Sequence, residues 1–271
     1  MKSIIPLLLL SLIFTSNNSF SQIIEDSIPA HQTFTIESKY VGETRIINVW
    51  TPPTYQSTSD SFPVMYMADG GIKEDFPHMA NTLAKLIKSK SIPPMILVGI
   101  ENTQRRRDLT GPTEIESDKT IAPIVGGSEQ FRTFIAEEIF TEIKQRYRTT
   151  AKKAIIGESL AGLFVTETFL LKPEMFDYYI AFDPSLWWND ESLLKSANQQ
   201  LKKFPTTQKT FWFTASGTKE IFQSAKKLAK ILKSENIKTV SWEYVHAPEE
   251  DHGTIFRAAK ESALIWMWNQ N

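Results

Sequence analysis

The residues most able to do chemistry sit in one short run. Residues 152–162 read KKAIIGESLAG. A β-type run at 153–156 meets Gly157, Glu158, Ser159, Leu160, Ala161 and Gly162, and an apolar helical run follows at 163–171. Strand, small residue, Ser, small residue, helix is the pattern of a sharp turn that lifts a nucleophilic hydroxyl clear of a sheet. The positions two before and two after the serine approach each other, so both must be small. Gly157 fits, and Ala161 stands where the commoner pattern has Gly. The plainer alternative is a Gly/Ser turn that starts a helix. The strand–turn–helix context favours Ser159 as a nucleophile.

A serine hydroxyl needs a base. The chain has four histidines, His31, His78, His246 and His252. A chain order of nucleophile, acid, histidine and a place beyond a strand's carboxyl end both select His252. Gly253 follows it, and Thr254 suits the N-cap of a final helix. His246, at the end of the last strand, is the weaker choice. The base needs an acid to fix its tautomer and stabilise the imidazolium. Glu220 is favoured, because it follows the strand at 210–215 by a short turn. Asp183 ends the preceding strand and could also reach. As plain structure, Glu220 is a first-turn helix carboxylate and Asp183 a turn residue before Pro184. An oxyanion needs two backbone donors. The N–H of Leu160 is one, and the loop Asp69-Gly70-Gly71-Ile72 offers the other, with Gly71 preferred over Gly70.

Two clusters could touch a substrate. Arg105, Arg106 and Arg107 lie in a long polar segment, and Arg107 is taken as the contact to an anionic group. A solvated basic face is the bland alternative. Trp187 and Trp188 follow Pro184-Ser185-Leu186 and could stack on an aromatic ligand or pack in the core.

The elements that must position these residues follow from periodicity. Alternating runs at 33–38 and 44–51 predict an antiparallel hairpin. Apolar runs at 63–68, 94–100, 178–182, 210–215 and 239–246 predict further strands. Helical patterns cover 76–89, 129–147, 191–203, 219–234 and 254–268. Alternation from residue 63 onward predicts an α/β fold with a mostly parallel central sheet, an antiparallel N-terminal edge and helices on both faces. The segment 101–127 is long for a loop, and such loops are often lids or binding surfaces.

The whole chain narrows the choice. Its 271 residues are 41% hydrophobic and carry a net charge of −1, so nothing points to nucleic acid. Lys2, an apolar run at 4–14 and Ser19-Phe20-Ser21 predict a cleaved signal peptide at 1–21 and a single domain at 22–271. That run is too short for a stable membrane anchor. Export to the periplasm or outside the cell is therefore expected. The chain has no cysteine, which excludes disulfides and lipid-modified Cys. No cofactor motif or metal-binding spacing is present, so neither is expected. The sequence does not encode the oligomeric state.

Several longer stretches carry a family resemblance. They are PVMYMADGG, VGIENTQRRRDLTGP, FRTFIAEEI with its RYRT end, GESLAGLFVTETFLLKPEMF, IAFDPSLWW and DHGTIFRAA. Together they resemble the esterase D-like family of α/β hydrolases, especially its siderophore (ferric enterobactin and salmochelin) esterase branch. The resemblance implies an α/β-hydrolase fold with a small or absent cap, and cofactor-free serine ester hydrolysis of a small-molecule ester. Ser159 and His252 match the family nucleophile and base. The acid does not transfer, because some siderophore esterases are described as working with a Ser–His pair. Acetyl or feruloyl esters of carbohydrates are alternative substrates. A catalytically inactive fold used for binding is the alternative of another class.

Overall fold

Alternating side chains on the first strand and the turn at Gly42 make the first two strands a hairpin. In the computed structural model, which describes residues 26–270, β1 (Gln32–Ser38) pairs antiparallel with β2 (Glu43–Trp50). Gly42 turns the chain between them with φ of 68°, a region glycine enters without a Cβ penalty. The expected signal peptide lies outside the described residues.

Continuous apolar runs supply the buried strands. These are β3 (Phe62–Met67), β4 (Ile96–Ile100), β5 (Thr149–Glu158), β6 (Tyr178–Phe182) and β7 (Lys209–Ser216), with β8 (Val240–Ala247) at the edge. The sheet order is β1-β2-β4-β3-β5-β6-β7-β8. β2 runs antiparallel to β4, and all pairs from β4 to β8 are parallel. The expected parallel sheet with an antiparallel N-terminal edge is therefore present. The connection from β4 to β5 passes over β3, so the direction of winding reverses beside β3. Sites in such sheets form beyond the carboxyl ends of the strands at this reversal.

Helices cover both faces. α1 (Phe76–Lys88) and α9 (Ile255–Trp268) pack on one face, with Met79, Leu83, Phe256 and Leu264 against Met65, Ile156 and Ile180. The other face carries α2 (Arg105–Leu109), α4 (Ser128–Phe134), α6 (Leu160–Leu171), α7 (Trp188–Leu201) and α8 (Lys219–Glu235). The helix expected at 129–147 runs as α4, one π-helical stretch at Ile135–Ile139, and α5 (Phe140–Arg146). α6 is apolar nearly all round because it is buried nearly all round.

The segment 101–127 is more ordered than a free loop. It holds α2 and α3 (Glu116–Ile121) and is clamped by buried polar groups. Fully buried Arg45 on β2 donates to Asp108 at 2.5 Å. Thr113 donates to Asp118 at 2.8 Å, and the backbone N–H of Asn189 donates to the same carboxylate at 2.8 Å. An unpaired buried charge is costly, so each pairing fixes the course of the chain.

Sterics decide the step from β5 into α6. A Cβ on Gly157 would lie 2.7 Å from the Cβ of Ala161. That Cβ would also lie 2.7 Å from the carbonyl carbon of Ala161, so position 157 takes only glycine, and Ala161 fits because Gly157 leaves its methyl room. Gly157→Ala should therefore destabilise the fold by about 1–3 kcal/mol through overpacking. Gly157→Ala with Ala161→Gly should recover part of that loss. A double-mutant cycle of denaturant melts checks the coupling, and additive effects would disprove the contact.

Candidate active site

Ser159 is held where an L-residue is strained. Its φ is 60° and its ψ −118°, outside the regions open to most side chains. The neighbours enforce this. Ser159 N–H donates to the carbonyl of Phe182 at 2.9 Å, and its own carbonyl accepts from Leu163 N–H at 2.9 Å and Ser185 N–H at 3.1 Å. The hydroxyl thus stands at the carboxyl end of β5, above the first turn of α6. The N–H of Leu160 opens that helix and has no intrahelical acceptor.

His252 reaches Ser159 from the loop between β8 and α9. Its Nε2 lies 3.0 Å from Ser159 Oγ, and its Nδ1 lies 3.0 Å from Asp183 Oδ2. Asp183 is fully buried and sits directly after β6. Its Oδ1 accepts from the N–H of Ser216 at 2.6 Å, and its Oδ2 accepts from the Ser216 hydroxyl at 2.6 Å. A carboxylate with this many donors is a fixed acceptor. It assigns the His252 proton to Nδ1, leaving Nε2 to accept from the serine. The Asp183 hydrogen bond raises His252 above the ordinary histidine range, against the pull of burial.

The model of the family described as "Putative esterase" matches residues 38–256. The chain belongs to this family. It is 30% identical over 186 residues to the ferri-bacillibactin esterase BesA of Bacillus subtilis, covering 64% of each chain. It is 42% identical over 77 residues to a siderophore enterobactin esterase of Emericella nidulans, covering 27% of this chain and 25% of that one. The chain therefore spans less than two thirds of these curated relatives. An IroE-like serine hydrolase from Shewanella oneidensis has the same architecture. Its TM-score is 0.82 at 25% identity, covering 89% of this chain and 80% of that one. The fold is that of the α/β hydrolases.

Several expected site residues stand elsewhere. Glu220 is exposed on the first turn of α8, and the group on His252 is Asp183. The end of β7 supplies Ser216 as a donor to the acid rather than the acid itself. His246 stacks on Phe222, with centroids 4.1 Å apart. The Gly71 N–H is already engaged, donating to Glu74 Oε2 at 2.7 Å.

Arg107 is engaged as well. It donates to Glu43 at 2.6 Å and to Asp108 at 2.7 Å, so it braces the β1–β2 turn against α2 instead of presenting a free cation. Arg106 donates to the carbonyl of Ile121. Arg105 grips Asp69 through two nitrogens, at 2.5 and 2.8 Å, and its Nη2 lies 3.5 Å from the Glu158 carbonyl. Of the three, Arg105 is the one that reaches the end of β5.

Trp188 is 4% exposed and donates to the carbonyl of Gly111 at 3.1 Å. It forms the floor of a cleft of about 350 Å³ lined also by Pro112, Leu163, Glu167 and Leu193. Trp187 is half-buried, with its ring centroid 6.0 Å from that of Trp188. Among the described residues, no helix is long and apolar enough to cross a membrane.

The geometry makes a direct prediction about His252. Asp183→Asn removes the main group raising it, so its imidazole should titrate at lower pH. Glu220→Gln should leave the midpoint in place. NMR titration of the ring protons checks both. A shift with Glu220→Gln alone would reassign the partner.

Proposed function

We propose that this chain is an exported serine esterase that cleaves siderophore-type esters through an acyl-enzyme. The continuous hydrogen-bonded line from Ser159 through His252 to Asp183 carries this reading. Family membership and the named activities of the relatives support the ester class. The charged, apolar and small-residue pattern of residues 2–21 supports export.

Each step uses a group already in place. Ser159 Oγ attacks the ester carbonyl carbon while its proton passes to His252 Nε2. Asp183 stabilises the imidazolium that forms. The oxyanion is received by the N–H of Leu160. Gly71 can add its N–H only when Glu74 releases it. His252 then gives its proton to the departing alkoxide, and the C–O bond breaks to leave an acyl-serine. Water attacks that ester, His252 takes its proton, and free acid leaves as Ser159 regains its hydrogen. His252 must be neutral to begin. Its raised pKa therefore places the loss of activity, on lowering pH, above the ordinary histidine value.

The substrate class rests on the relatives and on the cleft around Trp188. The arginine run no longer supports it, because those side chains are spent within the fold. Half-buried Trp187 and the apolar cleft lining suit aromatic arms.

Ser159→Ala should keep the fold and lose nearly all turnover of p-nitrophenyl acetate, and a serine-directed phosphonate should label Ser159 alone. Asp183→Asn should lower kcat by up to ~10⁴-fold, the limit for loss of the tautomer-fixing acid. Retained turnover in Ser159→Ala would overturn the mechanism. A catecholate trilactone should be cleaved with higher kcat/KM than acetylated or feruloylated sugars. The reverse order would move the substrate to carbohydrates, and no turnover on any ester would favour a binding role.

A further inference from the structure

Glu158 stands directly before Ser159 and has no part in the steps above. Successive side chains of a strand alternate between faces. Ala154 and Ile156 lie in the core layer beneath α1 and α9, so Glu158 points the same way. It thus faces the N-terminal ends of those two helices, where Asp75 precedes α1 and His252 precedes α9. Its Oε1 is buried and has no hydrogen-bond partner. A carboxylate oxygen in that position is costly as an anion, which favours the protonated acid. Burial first, and then the charge of Asp75, push the Glu158 carboxyl up to about 7.

The surroundings of Glu158 come from every element packed around it. Asp69 follows β3, Asp75 precedes α1, Asp183 follows β6, and His252 precedes α9. Arg105 on α2 and Arg257 on α9 also feel its charge. Both arginines are already paired, Arg105 with Asp69 and Arg257 with Asp26 at 2.5 Å. Behind Asp75 runs a chain of polar groups. Asp75 Oδ1 lies 2.9 Å from His78 Nε2, and His78 Nδ1 lies 2.8 Å from Lys260 Nζ. An ammonium can only donate, so the ring accepts at Nδ1 and donates from Nε2. Burial lowers the pKa of His78, which keeps the ring neutral. Asp75 therefore accepts from a neutral donor.

We propose that Glu158 is a second acidic group acting on His252. It is a positioning residue whose charge, added through space to that of Asp183, decides how firmly the imidazole holds its proton. The inference rests on His252 being the base of the esterase proposed above. Asp183 acts on the ring through a hydrogen bond, whereas Glu158 acts through space. Protonated, Glu158 leaves His252 with one close anion. Ionised, it adds a second, and the imidazolium is harder to deprotonate. The two groups titrate as a coupled pair rather than as independent sites.

Glu158→Gln keeps the shape and removes the charge. Two measurements on the full mature chain test the idea. One is the NMR titration of the His252 ring in a Ser159→Ala background. The other is the acid limb of kcat/KM for p-nitrophenyl acetate with Ser159 intact, each enzyme scaled to its own plateau. In Glu158→Gln the His252 midpoint should fall, by up to on the order of one pH unit for the loss of a nearby charge. The acid limb should move the same way and sharpen to a single step. Glu158→Asp should restore the broader, coupled shape in part. An unchanged midpoint in Glu158→Gln, or a rise, would overturn the proposal. Melting temperature and phosphonate labelling of Ser159 separate a misfolded variant from an informative one. Turnover surviving Ser159→Ala would defeat the esterase reading while the ring titration still reported on Glu158, so the two failures are distinguishable.

Discussion

The site depends on a steric constraint smaller than a methyl group. Between β5 and α6 the chain reverses so sharply that a Cβ on Gly157 would sit 2.7 Å from both the Cβ and the carbonyl carbon of Ala161. Everything nearby braces that turn. Ser159 reaches β6 by donating to Phe182, and Ser185 beyond β6 donates back to Ser159. The strain at Ser159, with φ of 60°, is held by a buried strand on one side and a buried helix on the other. A surface loop with the same dihedral would relax. Strain of this kind persists only where the surroundings over-determine it.

The same bracing explains why Asp183, and not Glu220, meets His252. β6 is the neighbour of β5 in the sheet, so its carboxyl end emerges beside Ser159. Asp183 adopts φ of 41° there, a conformation Asp tolerates better than most residues. β7 lies one strand further out. Its end contributes Ser216, which fills the remaining acceptor positions of Asp183. Fixing the carboxylate on two strands at once leaves the imidazole little freedom to turn, and such locking of a functional side chain by its neighbours is what sharpens a site.

Much of this was legible in the sequence. The apolar runs read as buried strands, their alternation with helices gave the sheet, and the spacing around Ser159 marked the turn. Ser159 and His252 meet as expected because both follow local rules, a turn pattern and a loop between the last strand and the final helix, although the Thr254 side chain does not cap that helix. The partner of His252 differs from the one expected because chain order constrains it only to lie between Ser159 and His252, and two strand ends qualify. Burial would have decided. Asp183 follows five buried residues, Tyr178–Phe182, while Glu220 opens an amphipathic helix with its charge in water. The arginine run misled for another reason. The partners of Arg105 and Arg107, Asp69 and Glu43, are distant in sequence, so periodicity could not show that these charges are consumed inside the fold.

That consumption changes what the segment 101–127 does. Its arginines tie β2, the end of β3 and β5 together, and Arg105 does this within reach of the Glu158 carbonyl. These pairs are only partly buried, so each adds little net stability. Their effect is to fix geometry, so the segment acts as a wall rather than a mobile lid. Thr113, Asp118 and Asn189 extend the wall to the start of α7, where three successive residues hold positive φ. The cleft beside Trp188 lies between that clamp and α6. Its lining is mainly apolar, with Glu167 and Asn189 among its polar positions, and Ser159, Asp183 and His252 lie outside it.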